Sequence, residues 1–473
     1  MIYKILFIVS LFSILANAQP VNSDDISDDL ARDILCSVLS NLDTKNGNGI
    51  WPEYNPLESP MIIKFRDNTF GYGEPSAFKD WNEEKKEKCT FYSAPKTFKM
   101  PVSPIVPYLD FNGTKAFFFD TTIKPKLSVW LLSAIIHERF HRFQWEHFPN
   151  MFTLANSAYS GHNSRDNVAE GLLENNRLIS YLQTHTEKNW KDFLSVALNR
   201  ELGLSKESKD WELEQQISEG TAIYVQLKAF EVIEKEFGIR FRKIWTQKMI
   251  GNLDNSEGVD GIIKWRHYAL GSLICDYLDR HSSNESWKVL LQTENSSSLF
   301  RHVLIGFDEQ SLIMNGQEII KSFEGDQARI LATELISEYI SEINRVADQI
   351  NSSKIQVSIL NSSKDCSGGG FSEKTYYLTD GGTFGVNYSG SYQCGSNFQE
   401  IYTKIPVLAK SKNSSLFGLS EIQIWIDSSE IQIRNGEFKF KNIEIKSQIF
   451  SLKASQTGVV VINNSQISIM FDN

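Results

Sequence analysis

The sequence predicts an α+β protein of several domains, with a mainly helical central domain between an N-terminal mixed α/β region and a C-terminal β-sandwich-like domain. At 473 residues the chain exceeds what one hydrophobic core usually serves. Apolar residues recur at helical spacing over 126–350, whereas after 351 they alternate with polar residues as in half-buried strands. A hydrophobic content of 41% with only 12 Pro excludes an intrinsically disordered chain.

Residues 1–18 are expected to form a secretory signal peptide. Lys4 precedes an apolar run over 5–15, and Ala-Asn-Ala at 16–18 provides a small-residue cleavage site. The run is too short to span a bilayer comfortably, and no other apolar stretch approaches the roughly 20 residues that a membrane helix requires. We therefore expect a secreted or periplasmic protein with no membrane span after signal removal.

The balance of charges argues against a nucleic-acid partner. The chain has 48 Lys and Arg against 58 Asp and Glu, for a net charge of -10, and no segment concentrates the cations. Binding to the phosphates of DNA or RNA would require a basic patch. A moderately acidic surface is also common among secreted enzymes, so the charge excludes this class of partner and identifies no other.

The N-terminal region, 19–125, is expected to contain a β-hairpin. Segments 105–109 and 115–123 flank Asn112-Gly113, a dipeptide that favours two-residue hairpin turns. The run Ala-Phe-Phe-Phe at 116–119 is apolar without alternation, which indicates a strand buried on both faces. The alternative is that this run is an edge strand against which an extended substrate lies.

Helices are predicted throughout the central domain, 126–350. Ser128 is expected to cap a first helix that runs to Phe148 and ends at Pro149. The other predicted helices share a periodic apolar face and cover 167–183, 210–237 with Gly238 as C-cap, 268–280 and 328–350.

The C-terminal region, 351–473, is expected to be an all-β domain. Segments such as 421–426 alternate strictly between polar and apolar residues, and a β-sandwich of about 120 residues fits this pattern. Export permits disulfides, and we expect Cys366 and Cys394 to pair because both lie in this strand-rich region. Of the five Cys, Cys275 is expected to stay a buried free thiol.

The most informative motif is H-E-x-x-H, which runs from His137 to His141 on the first predicted helix. Two His four residues apart project from one helix face and can bind one zinc ion, Zn2+, with Glu138 beside the water on the metal. The alternative is a pair of core histidines on an ordinary helix. With 8 His in 473 residues, a chance match is expected in about 1% of such chains, which favours the metal site.

A catalytic zinc site needs a third protein ligand. The best candidate is Glu219, on a predicted helix where Gly220 and Ala222 would permit close approach to the first helix. Glu174 and Glu170, one turn apart, are rival ligands. They could equally orient the ligand histidines or form a solvated helix face.

These residues resemble the gluzincin metallopeptidases, especially the catalytic domain of the aminopeptidase branch. The motif from His137 to His141, followed by Glu219-Gly220-x-Ala222-x-Tyr224, carries the resemblance. It implies a zincin-like helical domain in which both motif histidines and Glu219 bind zinc, Glu138 is the general base and Tyr268 stabilises the oxyanion. The 77 residues over 142–218 exceed the short link usual in that branch, and the G-x-M-E-N exopeptidase signature is missing.

We therefore expect an exported zinc metallopeptidase whose partner is a peptide or protein substrate. An alternative is a catalytically inactive zincin-like binding protein of the cell envelope or extracellular space, in which the β domain holds a partner. A third is a structural envelope protein whose histidines are incidental. The sequence leaves the oligomeric state open.

Overall fold

The computed structural model describes residues 49–65, 68–85, 89–98, 105–120, 129–148, 164–233, 258–262, 266–281, 286–293 and 299–352, with scattered positions over 32–39, 245–246 and strand segments over 355–471. The chain forms two compact units. Unit 1 comprises Met1–Met151, Gln215–Ser256 and Lys264–Glu309, and unit 2 comprises Phe152–Glu214, Glu257–Ile263 and Gln310–Asn473. The predicted signal peptide, 1–18, lies outside the described residues.

Unit 1 contains a six-stranded mixed sheet. Its strands are β1 (Met61–Phe65), β2 (Asn68–Tyr72), β3 (Asn82–Lys85), β4 (Thr90–Ser93), β5 (Ile105–Phe111) and β6 (Thr114–Asp120), in the spatial order β3-β4-β2-β1-β6-β5. Strands β1 and β6 pair in parallel, and the β5–β6 pair is antiparallel. The predicted hairpin is confirmed, because Asn112 and Gly113 form its turn with φ of 48° and 81°.

Strand β6 lies inside the sheet, between β1 and β5, so the alternative of an edge strand at 116–119 is wrong. The side chains of Ala116, Phe117, Phe118 and Phe119 are at most 1% exposed. This burial confirms a strand covered on both faces, and it explains the unbroken apolar run.

A disulfide in unit 1 joins Cys36 to Cys89, a pair that the sequence analysis did not predict. Cys275 is a buried free thiol, as expected. Cys366 and Cys394 occupy directly opposite positions on adjacent antiparallel strands, and their side chains lie outside the described set. The pairing of Cys366 with Cys394 therefore stays a prediction.

Helices make up most of the remaining described chain before 353. They are α1 (Val129–His147), α2 (Arg165–Thr184), α3 (Glu187–Gly203), α4 (Lys206–Gln215), α5 (Thr221–Ile233), α6 (Arg266–His281), α7 (Ser286–Thr293), α8 (Leu299–Leu304), α9 (Glu309–Ile320) and α10 (Phe323–Ser352), with a single turn at Gly258–Asp260. The predicted helices at 167–183, 268–280 and 328–350 are confirmed as α2, α6 and α10. None of the helices in the described chain is long and apolar enough to cross a membrane.

The helix predicted over 210–237 is interrupted. A π-helical segment, Gln216–Gly220, separates α4 from α5. Such segments widen one turn of a helix and occur frequently at functional sites. The interruption falls on Glu219, the proposed third ligand, and residues beyond 233, including the expected C-cap Gly238, lie outside the described chain.

Local capping explains the boundaries of α2 and α3 in unit 2. The hydroxyl groups of Ser164 and Thr186 accept hydrogen bonds from the backbone N–H groups of Asn167 and Asn189, as N-cap residues do. His185, between the two helices, has φ of 53° in the left-handed region, which ends α2. Apolar residues of α2 and α10 then pack in one core that includes Leu172, Ala332 and Tyr339.

The C-terminal part of unit 2 is β-structured, as predicted. Its strands are β7 (Ile355–Leu360), β8 (Cys366–Phe371), β9 (Lys374–Tyr377), β10 (Thr383–Val386), β11 (Tyr388–Cys394), β12 (Asn397–Thr403), β13 (Val407–Ser411), β14 (Leu419–Ile426), β15 (Gly436–Phe440), β16 (Ile443–Lys446), β17 (Phe450–Ala454), β18 (Gly458–Asn463) and β19 (Gln466–Phe471). One sheet has the order β15-β18-β19-β7-β14-β13-β10-β9 and the other β16-β17-β12-β11-β8. In these two sheets β7 and β19 form the one parallel pair among the described strands.

Candidate metal centre

Helix α1 presents both motif histidines on one face, as the four-residue spacing predicts. The Nε2 atoms of His137 and His141 lie 3.0 Å apart, and the two rings are nearly perpendicular at 88°. Their side chains are 13% and 14% exposed, so both rings are largely buried with limited access to solvent.

The π-helical segment brings Glu219 to the two histidines within unit 1. Its Oε2 atom lies 3.2 Å from Nε2 of His137 and 3.5 Å from Nε2 of His141. Among the described residues, these three form the one cluster of at least three His, Cys, Asp or Glu side chains that could hold a metal ion.

The spacing of the three donor atoms fits zinc. Zinc bonds of about 2.0–2.1 Å at tetrahedral angles separate ligand atoms by about 3.3 Å. The observed separations of 3.0, 3.2 and 3.5 Å bracket that value. Two imidazoles and one carboxylate are also the ligand set of many catalytic zinc sites, which leave the fourth position to water or substrate.

The electrostatics of the cluster favour a positive charge at its centre. Burial opposes protonation of His141, but the charge and hydrogen bond of Glu219, aided by Glu138, outweigh it and raise the pKa of His141 to about 9. Burial likewise opposes ionisation of Glu219, yet His141 and His137 hold the pKa of its carboxyl far below the usual value. A bound cation would take the place of the proton that His141 otherwise carries.

Gln144 connects the two elements that carry the candidate ligands, and no sequence motif had indicated it. Its Oε1 accepts a hydrogen bond from Nδ1 of His141 at 2.7 Å, which leaves Nε2 of that ring to face the cluster. Its Nε2 group donates to the carbonyl oxygens of Ile217 and Ser218 and to the hydroxyl of Thr221. The available signal was its position three residues after His141, on the ligand face of the helix.

Two glycines set the position of the π-helical segment. A Cβ atom on Gly220 would lie 2.4 Å from Cα of Gly271, and one on Gly271 would lie 2.3 Å from the carbonyl oxygen of Gln216. Gly220 itself makes its close approach to α6, and the stretch around it also contacts the first helix, as expected, through the hydrogen bonds of Gln144. The segment that carries Glu219 is thus packed backbone to backbone against α6.

The rival ligands Glu170 and Glu174 do not belong to the cluster. Both lie on α2, in unit 2. Glu174 is 2% exposed and lies 3.5 Å from the guanidinium of Arg200, which also pairs with Glu212. Burial raises the pKa of Glu170. Its contact with Arg200 places Glu174 in a separate buried ion-pair group.

Glu138 and Tyr268 are both half-buried in unit 1. Glu138 follows His137 directly on α1, and its charge contributes to the raised pKa of His141. Tyr268 lies in the first turn of α6, three residues before Gly271 and therefore on the side of the helix that faces the π-helical segment. The charge of Glu138 thus acts on the cluster, whereas the catalytic roles of Glu138 and Tyr268 stay predictions.

No protein-family model matches the chain, and neither curated proteins nor solved structures give a match. The gluzincin resemblance therefore depends on short sequence motifs alone. Any functional conclusion has to come from the chemistry of the cluster.

Proposed function

We propose that the protein is an exported zinc-dependent metallopeptidase that hydrolyses peptide bonds in a peptide or protein substrate. The observation that carries the proposal is the convergence of Nε2 of His137, Nε2 of His141 and Oε2 of Glu219 within 3.5 Å of one another. The donor types, their separations and the hydrogen bond from His141 to Gln144 all suit a catalytic zinc site.

Zinc in this cluster would supply Lewis acidity, polarising a substrate carbonyl and lowering the pKa of water toward about 7. The residues of the chain have separate tasks. Glu138 is the general base that takes the proton from the attacking water and returns it to the leaving amine. Tyr268 donates its hydroxyl hydrogen to the oxygen that becomes negatively charged.

The proposal extends to the fold and the location of the protein. We assign the helical part that carries the cluster to a zincin-like catalytic domain, and the two C-terminal sheets to a β-sandwich. Secretion or periplasmic export is proposed from the apolar run and cleavage site at 1–18. The disulfide between Cys36 and Cys89 supports an oxidising compartment.

The test combines metal analysis with digestion of an unbiased peptide library, with and without chelator. Glu219→Ala and His137→Ala are expected to lose zinc and activity together. Glu138→Gln is expected to keep zinc and lose activity, because only the base is removed. Glu146→Gln is the matched control, since Glu146 is an exposed carboxylate on the same helix.

Three results would contradict the proposal. They are failure of the intact chain to retain zinc after reconstitution, full zinc occupancy in Glu219→Ala, and unchanged hydrolysis by Glu138→Gln. Stoichiometric zinc in a wild-type chain that cleaves no peptide would instead favour the inactive zincin-like binding protein.

A further inference from the structure

A polar cavity lies in unit 1, on the other side of α1 from the cluster of His137, His141 and Glu219. It has a volume of about 320 Å³, and its wall includes Tyr54, Ser59, Lys115, Arg139 and Arg142. At 100° per residue, positions 139 and 142 lie roughly opposite the face that carries the two histidines. The cavity is therefore separate from the proposed zinc site, although α1 forms a wall of both.

Arg139 is a buried cation that forms no salt bridge with a carboxylate of the described residues. Its side chain is 5% exposed, and its Nη2 group donates to the carbonyl and the hydroxyl of Ser59. Its Nε and Nη1 groups have no hydrogen-bond partner among the described residues, and no described carboxylate forms a salt bridge with it. A buried charge with unpaired donors is costly unless a partner is present.

Other groups in the wall of the cavity also favour the binding of a negatively charged group. The hydroxyl of Tyr54, a residue that is 2% exposed, also lacks a hydrogen-bond partner among the described residues. Lys115 and Arg142 add two more cations to the wall of the cavity, which also carries the exposed carboxylates of Glu58 and Glu146. Lys115 pairs with Asp110, and Arg142 with Glu146, so within the described part of the chain Arg139 is the cation of this cavity that forms no salt bridge.

We propose that this cavity binds a small oxyanion, a carboxylate or phosphate group carried by a ligand of metabolite size, with Arg139 and Tyr54 at the inner wall and Lys115 and Arg142 as further cations. Such a group supplies a counter-charge to Arg139 and to the two further cations of the wall. The proposal is independent of the function assigned to the zinc site.

The test is calorimetric titration of the full chain with inorganic phosphate and, separately, with succinate, at constant ionic strength. Saturable binding of either probe is expected. Lys115→Gln and Arg142→Gln should each weaken it about tenfold, because each removes a charge-assisted contact. Glu58→Gln should tighten it, since a carboxylate that repels the anion is lost. Lys79→Gln, which removes an exposed cation remote in sequence from the cavity residues, is the control and should leave binding unchanged.

Tighter binding of phosphate would identify a phosphate-bearing ligand, and tighter binding of succinate a carboxylate-bearing one. The titration is repeated with zinc-loaded and with chelator-treated chain, because phosphate also binds zinc directly. Three results overturn the proposal: no saturable binding of either probe, binding that disappears with the metal, or equal weakening by Lys79→Gln and Lys115→Gln. Lys115 is 53% exposed, so its substitution leaves the fold intact.

Discussion

Substitution of Gln144 by Met should weaken zinc binding and destabilise the fold. Gln144 is fully buried, and it contacts His141 on one side and three groups of the π-helical region on the other. The side chain of Met has a similar length, but it neither accepts a hydrogen bond from the imidazole of His141 nor donates one to the carbonyl oxygens. The amide nitrogen has two hydrogens for three acceptors, so the side chain makes about three full hydrogen bonds; at about 1 kcal/mol for each, we expect a loss of about 3 kcal/mol in the free energy of unfolding.

The affinity for zinc should fall as well. Loss of a hydrogen bond that orients a ligand histidine typically lowers metal affinity about 10- to 100-fold, or about 1.4–2.7 kcal/mol. Gln144→Glu provides a second variant. It keeps an acceptor for Nδ1 of His141 but places a carboxylate oxygen against the carbonyl oxygens of Ile217 and Ser218. It should therefore destabilise the fold at least as much as Gln144→Met.

The assay is a zinc titration against a competing chelator, at a temperature well below unfolding, combined with denaturant unfolding of the metal-free chain. Gln183→Met, an exposed position on α2, is the control and should match the wild type in both measurements. A zinc affinity for Gln144→Met equal to that of the control would refute the role assigned to Gln144.

Four other predictions concern packing, the pH dependence of zinc affinity and of stability, and the disulfide. Gly220→Ala should lower the free energy of unfolding by about 3 kcal/mol and displace Glu219, the proposed zinc ligand beside it, because the new Cβ would lie 2.4 Å from the backbone of α6. Gly203→Ala, with nothing within 4 Å of its new Cβ, should be nearly neutral in denaturant unfolding. Zinc affinity should rise roughly tenfold per pH unit from about pH 6 to about pH 8, because the proton held by His141 with a pKa of about 9 must leave; a flat profile in chelator competition would contradict this. In the metal-free chain, protonated His141 stabilises the fold because its pKa is raised to about 9. This contribution is complete below the usual pKa of 6.5 and is lost as the pH rises through about 9. The free energy of unfolding, measured by denaturant unfolding across this range, should therefore fall as the pH rises. Reduction of Cys36–Cys89, which closes a loop of 53 residues, should lower the free energy of unfolding by about 4 kcal/mol, and an unchanged unfolding midpoint under reductant would exclude this.

The local parts of the structure were predictable from the sequence because short-range rules decide them. The turn at Asn112-Gly113 requires two residues with positive φ, and few dipeptides other than Asn-Gly favour that conformation. The helix that bears His137 and His141 follows from apolar periodicity, and four-residue spacing then places both rings on one face.

The parts that depend on tertiary contacts were not predictable. The pairing of Cys36 with Cys89 depends on distant segments meeting, and spacing alone does not determine it. The π-helical segment leaves no periodic signal, and Gly220 contacts α6 although its neighbours in sequence gave no indication of that partner. Gln144 became visible only when the carbonyl oxygens that it contacts were located.

The ligands of the cluster are widely separated along the chain, since His137 and Glu219 are 82 positions apart. An unfolded chain offers a metal ion the histidine pair alone, so any ion that fits all three side chains binds the native state far more tightly than the denatured one. By mass action, thermal stability then reports how fully the site is occupied. Each tenfold rise in the free ion concentration above the dissociation constant adds about 1.4 kcal/mol to the free energy of unfolding. The melting temperature in graded metal buffers would thus rank candidate ions without any knowledge of the substrate.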